Sequence, residues 1–265
     1  MSSRHPSRVA LLLVVGLLMI IGANEGTAQS SSTFDHSAFD QVLATHVDDT
    51  GMVDYAALKA HRSEHLDPYL EQLAETDVDA LSPDETLALW INAYNALTLA
   101  FMLDHYPVDS IWETTPGETA ATTEENPFEQ PVGTVAGRSY TLDEIEHNEI
   151  DAHFDDPRFH FAIVCAAVSC PPLRVEAYTG DQLDTQLHDQ AVRFIHDHPD
   201  NRISSSDDTI HVSTVFEWFI HDFGGDTDGI QAYLAPFFEG TVRKQLEEAA
   251  FHVEFTDYDW TINRQ

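Results

Sequence analysis

The sequence predicts an α+β fold: a single domain in which helices, one of them central and buried, pack on one mixed or antiparallel β-sheet. Three observations lead there. Apolar residues at helical spacing fill the first half of the chain, and short apolar runs bounded by Gly, Pro and Ser recur in the second. Residues 86–103 carry no charge in a chain that is 22% charged, so that stretch must be covered by the rest of the protein. At 265 residues the chain can bury a proper core without cross-links, and no internal repeat divides it.

The first 28 residues read as a secretory signal peptide. Arg4 and Arg8 precede the uncharged run 9–23, which is shorter than the roughly 20 residues of a spanning helix. Gly26, Thr27 and Ala28 then supply the small residues of a cleavage site, placed here after Ala28. Residues 29–33 form a Ser-rich linker, and 34–265 the domain. Export follows, to the periplasm or the exterior, with no membrane span after cleavage.

Helical patterns cover residues 34–47, 55–75 and 83–105. In the third, Ser82 caps, Pro83 suits the first turn, and Glu85 completes a capping box. A membrane span is the rival reading of this helix; Asn92, Asn95 and the acids at its ends oppose it. After a Thr-, Glu- and Pro-rich loop, "VGTVAGRSYTL" predicts a hairpin turning at Ala136-Gly137. Thr141 and Glu144 then open a short helix, "LDEIEHNEI". "FHFAIV" is short and apolar enough for a strand covered on both faces. A helix over 181–197, a strand "TIHVS", a helix "TVFEWFIHDF" stopped by Gly224-Gly225, helices over 230–238 and 242–250, and a closing strand "HVEFTDYDWTI" complete the reading.

Twelve basic residues face 46 acids, for a formal charge of −34. Removing residues 1–28 takes away Arg4, Arg8 and Glu25, leaving 10 bases, 45 acids and a charge of −35. The acids are dispersed rather than blocked, which suits a solvated surface in concentrated salt. Nucleic acid and anionic membrane both require a basic surface and are poor candidate partners. A substrate or cell-envelope partner and the oligomeric state are left open.

The only two cysteines, Cys165 and Cys170, end an apolar run headed by His160. Four intervening residues allow a disulfide if the chain turns tightly, an oxidising compartment favours one, and Pro171-Pro172 breaks the chain there. Equally, a thiolate at Cys165 with an imidazole beside it is a nucleophile. On a regular strand, residues 160 and 165 point to opposite faces, so His160 reaches Cys165 only across a bend near Val164. His147 offers another imidazole. Glu146 falls within the apolar stripe of its helix, where a carboxylate must be paired or protonated: an orienter, an acid or base, or a salt-bridge partner for Arg158 or Arg174. Asn92 and Asn95, one turn apart, either bind a substrate carbonyl or satisfy loop backbone. A metal set of Glu146, His147, His160 and Cys165 lacks ligand-pair spacing, so no metal and no cofactor is expected.

Seven stretches in order, "GMVDYAAL", "LWINAYNALTL", "YPVDSIW", "YTLDEIEH", "DPRFHFAIVCAAVSCPPLR", "FEWFIHDF" and "YDWTIN", resemble the family named domain of unknown function 547. The resemblance runs from about Gly51 to Asn263 and marks Asn92, Asn95, Glu146, His147, His160, Cys165 and Ser169 as matching its motifs. The family commonly has a basic residue soon after its Ile-Glu-His, whereas Glu149, Ile150 and Asp151 follow here. Fusion of some relatives to glutaredoxin domains associates the family with thiol chemistry.

The leading expectation is an exported hydrolase or acyl transferase acting on a peptide-like or amide substrate. Cys165 is its nucleophile, His160 or His147 its base and Glu146 the orienter, with Asn92, Asn95 and Ser169 near the substrate. The alternatives are a non-catalytic envelope-binding domain and a thiol–disulfide module with Cys165 and Cys170 as the redox pair.

Overall fold

A computed structural model describes residues 33–114 and 126–265. The expected signal peptide, and the linker apart from Thr33, lie outside the described residues. The fold is α+β around a central buried helix, α3 (Pro83–His105), whose residues 87–103 are all buried. Ser82 Oγ accepts a hydrogen bond from the Glu85 N–H at 3.3 Å, the serine half of the expected capping box. This helix has the length and hydropathy of a membrane span, and protein covers 94% of its most apolar 18 residues. Around it pack α1 (Ser37–His46) and α2 (Tyr55–Glu75), capped by Asp54, whose side chain accepts from the Ala57 N–H.

The expected hairpin forms between β1 (Pro131–Val135) and β2 (Arg138–Thr141), which pair antiparallel. Its two turn residues, Ala136 and Gly137, both have positive φ, the backbone that a two-residue hairpin loop with the right twist requires. Thr141 and Glu144 then form a reciprocal capping box: Thr141 Oγ1 accepts from the Glu144 N–H at 3.0 Å, and the Glu144 carboxylate from the Thr141 N–H at 3.1 Å. The segment it opens, Glu144–Asp151, is wound as a π-helix. Such windings recur at functional sites.

Strands are divided between two small sheets rather than gathered in one. The second pairs β3 (Thr209–Val212) in parallel with β4 (His252–Phe255). Between these strands run α5 (Val215–Trp218), α6 (Thr227–Leu234) and α7 (Gly240–Glu247), the crossover that a parallel pair needs. With α4 (Leu183–Asp197) they enclose a second apolar cluster built on Phe161, Phe194, Phe216 and Phe223.

"FHFAIV" is not a strand. Pro157–Phe161 is a 3-10 helix started by Pro157 and capped by Asp156, whose side chain accepts from the Arg158 N–H at 3.1 Å. Beyond it the backbone finds its partners on α3. Asn95 donates to the Ala162 carbonyl and accepts from the Val164 N–H, each at 2.9 Å. One side-chain amide thus does the work of a neighbouring strand. The expected helix over "TVFEWFIHDF" is likewise a single turn, α5, followed by turns up to Gly224 and Gly225, both of positive φ.

Candidate functional site

The chain from Ala166 to Ser169 is clasped by the C-terminal segment. Asn263 donates its N–H to the Ala166 carbonyl, and the Val168 N–H donates to the Thr261 carbonyl at 2.8 Å. Ser169 Oγ accepts from the Asp259 N–H at 3.0 Å. Ser169 therefore fixes the segment that carries Tyr258 and Trp260. Those two rings, with Tyr94, Trp112, Phe128, Trp218 and Phe219, wall a cleft of about 290 Å3. Four of the rings form a continuous surface: Tyr258 and Trp260 are 4.5 Å apart by centroids, Trp218 and Tyr258 4.7 Å, Trp112 and Trp260 5.3 Å.

Cys165 and Cys170 are joined in a disulfide on the wall of this cleft. Cys165 is partly exposed, whereas Cys170 is buried. The environment of the two sulfurs is asymmetric. Cys170 Sγ accepts from the Cys165 N–H at 3.1 Å, the Ala167 N–H at 3.4 Å and the Tyr258 hydroxyl at 3.1 Å. The hydroxyl is equally close to Cys165 Sγ, at 3.1 Å. Ala166, between the two amide donors, has φ of +63°. That left-handed turn in a non-glycine residue costs about 1 kcal/mol or more and aims both N–H groups at one sulfur, an anion-binding concavity.

Glu146 and His160 also line the cleft. The His160 ring is stacked on Phe219 with centroids 3.8 Å apart, and its Nε2 lies 2.7 Å from Asp222 Oδ2. Its Nδ1 has no hydrogen-bond partner and stands 3.9 Å from Glu146 Oε1, beyond hydrogen-bond reach. Burial lowers the His160 pKa to about 4 against the opposing pull of Asp222. A neutral ring giving its Nε2–H to Asp222 leaves Nδ1 as an acceptor facing Glu146. Burial, with Asp143 and Asp151 adding repulsion, raises the Glu146 pKa to about 8. The carboxyl is therefore a neutral donor at pH 7. Arg158 and Arg174 are engaged elsewhere, with Asp156 and Asp184, and with Glu176 and Asp189.

The cleft thus gathers Glu146, His160, Cys165 and Cys170 from the residues singled out in the sequence. The others lie apart. His147 is half exposed, 3.6 Å from Asp143 on its own helix, and does not line the cleft. Asn92 is fully buried and holds Tyr178 by both its carbonyl (2.7 Å) and its N–H (3.0 Å). With Asn95 it secures loop backbone against α3. Among the described residues no three His, Cys, Asp or Glu side chains are placed to hold a metal ion. Sequence reasoning assigned no role to Asp222 or to the aromatic wall. Yet Trp218, Phe219 and Asp222 lie in "FEWFIHDF", Tyr258 and Trp260 in "YDWTIN", and Trp112 in "YPVDSIW", three of the stretches that carry the family resemblance.

The fold and site thus define an α+β domain with a disulfide set in an aromatic cleft beside a buried carboxyl. Residues 78–195 match the sequence model of a family described as "Protein of unknown function, DUF547", which supports the resemblance read from the sequence motifs. The match takes in α3, the hairpin, the π-helix and both cysteines. No curated protein and no solved structure matches the chain.

Proposed function

We propose that the protein is an exported thiol–disulfide exchange module whose Cys165–Cys170 pair reacts with thiols admitted to the aromatic cleft. The observation that carries this reading is the asymmetry of the pair: the partly exposed sulfur is Cys165, and two backbone N–H groups converge on Cys170, with the Tyr258 hydroxyl beside both sulfurs. A substrate thiolate attacks Cys165 Sγ, the Sγ–Sγ bond breaks, and the electron pair leaves on Cys170 as a thiolate. The donors stabilise that thiolate, and a leaving thiol of lower pKa departs faster. A second substrate thiol then attacks the mixed disulfide, so the substrate dithiol is oxidised by two electrons and the pair is reduced. The proton that finally settles on Cys165 or Cys170 comes from the substrate thiols. The Tyr258 hydroxyl and the neutral Glu146 carboxyl stand beside its path.

The oxidising compartment that the N-terminal sequence implies is where such a pair persists. N-terminal sequencing of the exported protein is expected to begin at or near Gln29, whereas recovery of an intact Met1 form from the envelope removes that part of the proposal. The exchange itself is tested by trapping. With 2-hydroxyethyl disulfide, a Cys170→Ala variant is expected to hold one mixed disulfide on Cys165, which wild-type protein resolves to its own bridge. A Cys165→Ala variant that traps the reagent equally well, or a Cys170→Ala variant that traps none while folded, contradicts the assignment.

A second reading has its own support in His160, whose unpartnered Nδ1 shares the cleft with Cys165 while Asp222 holds Nε2. On this reading, once the pair is reduced, the ring takes the proton of a Cys165 nucleophile that acts on an amide. Ester or amide cleavage that appears only after reduction, and is lost in His160→Gln, distinguishes it from exchange alone.

A further inference from the structure

The cleft combines two features that exchange chemistry does not require. Among the described residues its wall holds seven aromatic rings, those of Tyr94, Trp112, Phe128, Trp218, Phe219, Tyr258 and Trp260, and one carboxyl, Glu146. That side chain is only 13% exposed, and among the described residues it has no Lys or Arg partner. The group nearest it in charge terms, His160, is 3.9 Å away and is held neutral by burial. Every other ionisable group acting on Glu146 is an acid, Asp143 and Asp151 on its own helix, or a phenol, Tyr94 on α3 and Tyr258 on the C-terminal segment.

We infer that the cleft binds a small organic cation, a quaternary or bulky tertiary ammonium group, with its methyl groups against the aromatic faces and Glu146 as its counterion. Ring faces attract a cation through their quadrupole, and desolvation in a cleft strengthens the effect. The rings supply apolar contact that a hydrated sodium ion cannot use, so the site discriminates against inorganic salt. A volume of about 290 Å3 stands at the lower end of small-molecule sites. Binding supplies the carboxyl with the positive charge it lacks and so favours loss of its proton. The strongly negative surface raises the local concentration of such cations at low ionic strength, but in molar salt that field is screened, and the local contacts decide.

The test uses the oxidised full-length protein, so that its outcome is independent of whether the disulfide exchanges with thiols. Choline and its uncharged isostere 3,3-dimethylbutan-1-ol are titrated calorimetrically in molar NaCl into wild-type protein, Glu146→Gln and Trp218→Ala. Trp218 is 46% exposed, so its removal leaves the core intact. Choline is expected to bind at least tenfold more tightly than the alcohol to wild type. It loses about tenfold in Glu146→Gln and several-fold in Trp218→Ala, while alcohol binding is unchanged in Glu146→Gln. Circular dichroism verifies the fold of each variant. Equal affinity for the two ligands, absence of choline binding, or a choline affinity indifferent to Glu146→Gln overturns the inference and leaves the exchange reading standing.

Discussion

Replacing Glu146 with glutamine is expected to stabilise the protein at alkaline pH and to do nearly nothing at acid pH. Below about pH 4.5 the carboxyl is protonated whether the chain is folded or unfolded. Between 4.5 and about 8 the unfolded chain releases the proton while the folded one keeps it, so stability falls as pH rises; above about 8 the loss is complete. Each pH unit in that interval is worth about 1.4 kcal/mol, which sets a ceiling of about 5 kcal/mol. Residual exposure and relaxation of the surroundings reduce this to about 2–4 kcal/mol. Buried His160 and His36, both with pKa near 4, contribute the opposite slope between about 4 and 6.5, so wild type alone is uninformative. The difference between wild type and Glu146→Gln isolates the carboxyl. Urea unfolding at constant molar KCl, at pH 4.5, 7 and 9, measures it. A difference that is flat across this range, or one in which wild type gains with rising pH, would refute the claim that Glu146 is held neutral by burial.

Asn95→Ala is expected to cost about 2–4 kcal/mol, because it strands the buried Ala162 carbonyl and Val164 N–H; urea unfolding reads the cost and hydrogen exchange at Val164 locates it. Tyr258→Phe keeps the ring but removes the hydroxyl from both sulfurs, so the pH midpoint for alkylation of reduced Cys170 should rise; an unchanged midpoint denies the hydroxyl any part in thiolate stabilisation. With 46 acids against 12 bases, the melting temperature should climb steeply from low to molar salt, and a flat response contradicts the role given to the dispersed acids.

The charge-free run that becomes α3 was plain in the sequence because burial is the only tolerable fate for 18 uncharged residues in so acidic a chain. The hairpin and the box of Thr141 and Glu144 were plain because local chemistry alone specifies them. The "FHFAIV" segment was not, since its apolar composition suits a strand and the competing instruction came from Asn95, 67 residues away from Ala162. The candidate site divides the same way. Its cysteines, His160 and Glu146 are chemically conspicuous residues within about a tenth of the chain. Asp222, Trp218 and Tyr258 reach them only through tertiary contacts, the C-terminal clasp above all, that no periodicity encodes.

On the proposed reading the Cys165–Cys170 bridge takes part in exchange and is not a staple. A redox titration of the folded protein in glutathione buffers, without denaturant and quenched by alkylation for mass measurement, tests it most directly. Donors that stabilise the Cys170 thiolate favour the reduced state, so the pair is predicted to equilibrate reversibly with a midpoint above about −270 mV. A bridge that stays oxidised until the protein is unfolded, or whose midpoint lies below about −300 mV in the range of structural disulfides, would contradict the account.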